Sequence, residues 1–104
     1  MVSFIGMVRP YSNEGEKVLF VECEGDKGMV EQELRKVGEE IRDRWQLEDV
    51  AFCHRLGRIG VGETILVAAV AAPHRQEAFE ACQYTIDRIK ERVPIKEVLE
   101  KRAQ

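Results

Sequence analysis

Six cationic side chains stand where they could do chemistry: Arg9, the pair His54-Arg55, the pair His74-Arg75, and Lys90. His74-Arg75 follows an apolar run and opens a helical pattern. Free backbone N–H groups and the helix dipole favour an anion there, and a guanidinium would add bidentate recognition of an oxyanion. An ordinary polar first turn facing water is the plainer reading of the pair. Lys90 lies four residues after Ile86 and next to Ile89, so it borders an apolar stripe. Partly desolvated near other cations, such a lysine has a lowered pKa and can act as a nucleophile or proton donor. The plainer alternative is a lysine whose stem lies along the stripe and whose ammonium reaches water. Arg9 and His54-Arg55 each end an apolar segment, and both read more simply as solvent-facing charges than as an anion site.

Two other patterns carry less. Gly57, Gly60 and Gly62 lack the GxGxxG spacing, and a strand rather than a helix follows them, so they read as a turn and not a phosphate cradle. Cys23, Cys53 and Cys82 are odd in number and far apart, with no CxxC pair; they are expected to be reduced thiols, and no metal site is expected.

The elements that must position these groups are legible as periodicities. Val2 to Val8 reads as a strand, the loop from Arg9 to Glu16 as turns, and Lys17 to Cys23 as a second strand, the two pairing as a wide hairpin. Val30, Leu34, Val37, Ile41 and Trp45 recur at spacings of about three and four, the stripe of an amphipathic helix over Met29 to Trp45. Asp49 to His54 is a short strand, Leu56 to Glu63 a glycine-rich connection, and Thr64 to Ala71 the most apolar strand and therefore central. Pro73 stands where proline suits a first helical turn. Ala78, Cys82, Ile86, Ile89 and Val93 then trace a second helix that Pro94 stops. The expected fold class is α+β in the order ββαββα, with both helices on one face of a mainly antiparallel sheet.

The chain has 104 residues, 44% of them hydrophobic and 34% charged, a mixture expected of one soluble domain spanning residues 1–104. The longest apolar run, Ile65 to Pro73, is too short to cross a bilayer. The first residues lack the basic lead of a signal peptide, so a cytoplasmic location is expected. A net charge of -3 argues against a nucleic-acid surface and requires that any anion site be built locally.

Four stretches in order now carry a resemblance: Phe4-Ile5-Gly6-Met7-Val8-Arg9, then Cys53-His54-Arg55-Leu56-Gly57 through Gly62-Glu63, then Pro73-His74-Arg75 through Ala81-Cys82, then Ile89-Lys90-Glu91-Arg92-Val93-Pro94-Ile95. Together they resemble the large, catalytic subunit of molybdopterin synthase. The resemblance implies an α/β-hammerhead-type fold, a homodimer within a heterotetramer, and a small ubiquitin-like partner subunit whose C-terminal Gly-Gly carries a thiocarboxylate. Sulfur passes from that tail to cyclic pyranopterin monophosphate in two rounds, giving molybdopterin, with no cofactor, metal or nucleotide required for the transfer. It further implies that Arg9, His74 and Arg75 hold the substrate's phosphate and pterin, the last two reaching a neighbouring protomer's site, and that Lys90 is the first of two active-site lysines.

The agreement breaks after Pro94-Ile95, where the family usually continues Trp-Lys and this chain has Lys96-Glu97-Val98. With one residue deleted, Lys96 takes the second lysine's role; with none deleted, Glu97 stands there and the charge is reversed. Lys101 and Arg102 are further candidates for the missing cation. Most of the segment usually found before the first strand is also missing. Two alternatives therefore stand beside the enzyme: a non-catalytic paralogue that keeps the partner-binding groove, and a small-ligand-binding regulatory domain.

Overall fold

The computed structural model describes residues 1–102, with Arg102 described by its backbone alone. Its elements are β1 (Val2–Met7), β2 (Lys17–Glu24), α1 (Lys27–Arg44), β3 (Asp49–His54), β4 (Gly57–Gly60), β5 (Thr64–Ala71), α2 (Arg75–Arg92) and β6 (Lys96–Arg102). The α+β class holds, and the order ββαββα gains two strands. One is β4, inside the connection expected between Leu56 and Glu63; the other is β6, beyond Pro94.

The strands form two antiparallel three-stranded sheets rather than one, in the orders β1-β5-β3 and β4-β2-β6. The β1–β2 hairpin does not form. β1 pairs with β5, Phe4 standing opposite Ala68, while β2 pairs with β4 and β6. The apolar β5 is central, as its composition requires: strands covered on both flanks need no polar edge. Leu66, Ala68 and Val70 of β5 are buried.

Both helices cover the first sheet. Val30, Val37 and Ile41 of α1 and Ala78, Ala81, Cys82 and Ile89 of α2 are buried. Val30, Val37 and Ile89 cluster with Leu66 and the half-buried Phe52, and Ala81 and Cys82 with Val70 and the half-buried Val50 and Trp45. Pro73 lies just ahead of α2 and not within it. His74 is the cap residue; its carbonyl accepts the Ala78 N–H at 3.2 Å, and its imidazole caps nothing.

The second sheet has its own small core of Val8, Val18, Val21, Cys23 and Ile59. Val18 and Val21 are three apart, a spacing that in a regular strand would put them on opposite faces. Both are buried because Leu19 is extra: Val18 pairs with Lys101 and Phe20 with Glu100, leaving a bulge between them. Ile65 and Ile95 touch both this core and the helix-covered one, closing the seam between the sheets.

Candidate active site

An open groove of about 1010 Å³ runs along the seam, bounded by the end of β1, the β1–β2 loop, the last turn of α2 and β6. Arg9 and Lys90, far apart in sequence, both line it. Arg9 is placed there because Val8, just before it, is buried and tied on both sides: its N–H donates to Glu63 O at 3.0 Å and its carbonyl accepts Gly62 N–H at 2.9 Å. The Arg9 guanidinium donates to Asn13 Oδ1 at 3.3 Å, within its own loop. Lys90 is fixed by its neighbour Ile89, which is buried in the helix-covered core, so its side chain leaves α2 at the groove's edge. It is exposed and not partly desolvated as its position beside the stripe suggested.

His74 and Arg75 are exposed and do not line this groove. They begin α2, and Lys90 lies fifteen positions further on, about 22 Å along the helix axis at 1.5 Å per residue. One protomer therefore does not bring the pair and Lys90 together.

Of the two arrangements left open beyond Ile95, β6 places Glu97 at the groove and Lys96 away from it. Cross-strand partners share a sheet face. Cys23, Val21 and Val18 point into the core beside the groove, and their β6 partners Glu97, Leu99 and Lys101 line it. Lys96 pairs with Glu24 and Val98 with Glu22, on the opposite face, where Arg58 donates to Glu22 Oε1 at 3.1 Å. The side chain of Arg102 lies outside the described residues. Lys101 Nζ stands 3.2 Å from Glu16 and 3.8 Å from Glu14, so β6 is strapped to the loop that carries Arg9.

His54 is a groove residue that reads in sequence as one half of a solvent-facing pair. Arg55 does face water, 3.9 Å from Glu63. The half-buried His54 turns inward with Nδ1 2.7 Å from Arg55 O. A carbonyl can only accept, so Nδ1 carries the hydrogen; in the neutral ring Nε2 is then an acceptor. Strand alternation could have found it, since Phe52 and His54 share the half-buried face of β3.

The groove's walls are partly apolar, with Phe4 and Met7 of β1 and Leu99 of β6 all exposed. Exposed apolar side chains beside a row of cations suit a peptide tail ending in an anion. Cys23, behind Glu97, is no nucleophile: burial first, then the carboxylates of Glu97 and Glu22, push its thiol up to about 11. Among the described residues, no group of three or more His, Cys, Asp or Glu is arranged to hold a metal ion, and no helix is long and apolar enough to cross a membrane.

With this geometry in place, the chain can be compared with known proteins. The model of the family described as MoaE protein matches residues 1–92. A molybdopterin synthase catalytic subunit from Halalkalibacterium halodurans is 42% identical over 93 residues, covering 89% of this chain and 59% of that protein. The molybdopterin synthase catalytic subunit of Homo sapiens is 40% identical over 99 residues, covering 93% and 52%. The chain thus spans between half and three-fifths of the length of these two relatives. In three dimensions it is similar to molybdopterin synthase from Staphylococcus aureus, with a TM-score of 0.91 at 34% identity over 99% of this chain and 74% of that one.

Proposed function

The chain belongs to the MoaE protein family, and on that premise we propose that it is the catalytic subunit of a molybdopterin synthase. In this reading it transfers sulfur from the C-terminal thiocarboxylate of a small ubiquitin-like subunit to cyclic pyranopterin monophosphate. The observation that carries it is the meeting of Arg9 and Lys90 in one groove with an apolar wall.

The chemistry sets what the groove must do. A thiocarboxylate and a phosphate-bearing substrate are both anions, and bringing them together requires cations at the place of contact. Arg9 holds the phosphate, and Lys90 meets the tail's carbonyl, where its ammonium offsets charge developing on oxygen or its amine bonds the carbon. In each round sulfur bonds to a side-chain carbon of the pterin as the C–O bond at that carbon breaks, and the tail loses its C–S bond, gains a C–O bond from water and leaves as a carboxylate. His74 and Arg75 stand about 22 Å along α2 from Lys90, a separation that supports their acting on the groove of a second copy in a homodimer carrying one small subunit per protomer. Cys23, Cys53 and Cys82 are all free thiols, which supports a cytoplasmic setting.

The test is to mix the protein with thiocarboxylated small subunit and cyclic pyranopterin monophosphate and to measure molybdopterin formed. The wild type should turn over, and Lys90→Ala should lose roughly 10²-fold or more of the rate, the usual cost of removing one group that stabilises the reacting centre. A wild type that binds the small subunit without turnover would establish the second reading, a non-catalytic paralogue, which the outward direction of Lys96 favours. Failure to bind any Gly-Gly-tailed partner would sink both.

A further inference from the structure

Of the candidates for a cation beyond Ile95, β6 presents Lys101 to the groove. We propose that Lys101 is the groove's second lysine and that, with Arg9, it holds the phosphate of the bound substrate. The inference rests on the sulfur-transfer reading of this groove and adds to it a specific binding residue.

Three observations carry it. The first is register. Lys101 stands opposite Val18, Leu99 opposite Val21 and Glu97 opposite Cys23, so the face of β6 that carries Lys101 is the face that covers the second core and lines the groove. Lys96 is five residues earlier, an odd spacing, and therefore on the other face. The second is proximity to Arg9. Val18, the strand partner of Lys101, donates its N–H to the carbonyl of Pro10 at 2.9 Å, so Lys101 stands beside the backbone that follows Arg9. The third is the state of the ammonium. It is shared between Glu16 at 3.2 Å and Glu14 at 3.8 Å, and it is the least exposed member of that trio, at 31% against 45% and 70%.

These facts describe a cation held ready by replaceable counter-ions. Exposed carboxylates interact weakly with an ammonium because water competes for both. A phosphate arriving at Arg9 can take their place on Lys101, while the more exposed Glu14 and Glu16 turn to water. The bulge at Leu19 keeps Val18, and with it Lys101, in phase with the groove. Arg9 with Lys101 then makes an anion end, and Lys90 marks the place of sulfur transfer.

Wild type, Lys101→Ala, Lys101→Arg and Lys96→Ala, each as the full chain, separate the possibilities by two measurements. In the first, inorganic phosphate is titrated into the protein alone and followed by NMR. Lys101→Ala should bind it about tenfold more weakly, the loss expected of one charge-assisted hydrogen bond, while Lys101→Arg and Lys96→Ala stay near wild type. In the second, steady-state molybdopterin synthesis should show the KM for cyclic pyranopterin monophosphate raised by a similar factor in Lys101→Ala, with kcat little changed. Equal phosphate affinity in wild type and Lys101→Ala overturns the proposal, as does an equal loss in Lys96→Ala. If the wild type makes no molybdopterin, the sulfur-transfer reading fails, and the phosphate titration still decides whether Lys101 holds an anion.

Discussion

The three cysteines show how one residue type takes different chemistry from its surroundings. Cys53 is exposed on the edge strand β3, whereas Cys23 and Cys82 are buried. Burial raises the pKa of Cys82, and burial with two nearby carboxylates raises that of Cys23 to about 11 from an ordinary 9.0. Thiolate is the reactive form, so at pH 8 a thiol reagent should modify one cysteine, Cys53, in the folded protein, and all three only after unfolding; mass spectrometry of the labelled chain checks this. The same shift has a consequence for stability. The folded state holds the Cys23 proton more tightly than the unfolded chain does, so its contribution is complete below pH 9 and is lost as the pH rises toward 11. Urea midpoints measured across that window should fall, and Cys23→Ala should flatten part of the decline. An unchanged slope would remove Cys23 from the account.

Between the helices a polar clasp does what the apolar stripes alone do not. Glu40 of α1 accepts hydrogen bonds from Tyr84 Oη and from Arg88 Nε at 3.1 Å, and Arg92 stands 3.9 Å away. Arg44 caps the arrangement from above the Tyr84 ring, its guanidinium carbon 4.5 Å from the centroid. The Tyr84 hydrogen bond first, then Arg88, hold the Glu40 carboxyl below its ordinary value of 4.5. Its stabilisation is therefore present above pH 4.5 and disappears as the pH falls through the lower folded value. Glu40→Ala should melt below wild type at pH 7, and the gap should narrow as the pH falls below 4.5; a gap that stays constant throughout acidification would assign the loss to packing instead. Which elements were legible follows the same division between apolar and polar patterns. Both helices are readable because Val30, Val37, Ile41, Cys82 and Ile89 repeat with the period of the structure they form, and β3 because Val50 and Phe52 alternate with less apolar neighbours. β4 is hidden by its two glycines, and β6 by adjacent Val98 and Leu99 among charges, which erase the alternation of a strand. The pairing of β1 with β5 and of β2 with β6 is long-range, and nothing local to Arg9–Glu16 announces that the hairpin is not made. Arg9 and Lys90 were legible as cations beside apolar residues. The roles of His54 and Lys101 depend on which face of a strand meets the groove, and that is fixed by register.

The molecule as a whole is long: 49 × 28 × 18 Å, with a radius of gyration of 15.0 Å where a compact chain of this length gives about 13 Å. α2 has 18 residues and carries candidate site residues at both ends, Arg75 in its first turn and Lys90 in its last. A rigid helix cannot bring its own ends together, so if both act in catalysis they act in different grooves. The most economical arrangement is a two-fold dimer, in which each groove takes Arg9 and Lys90 from one copy and His74 and Arg75 from the other. This makes complementation a sharp test. Lys90→Ala alone and Arg75→Ala alone should each be nearly inactive, because every groove in either homodimer lacks one residue. Unfolded together in equal amounts and refolded, half of the dimers are mixed, and each mixed dimer has one groove with both defects and one with none. Activity should return to about a quarter of wild type, since random pairing gives about one intact groove in four. If His74 and Arg75 served their own copy's groove, every groove in the mixture would stay defective and no activity would return.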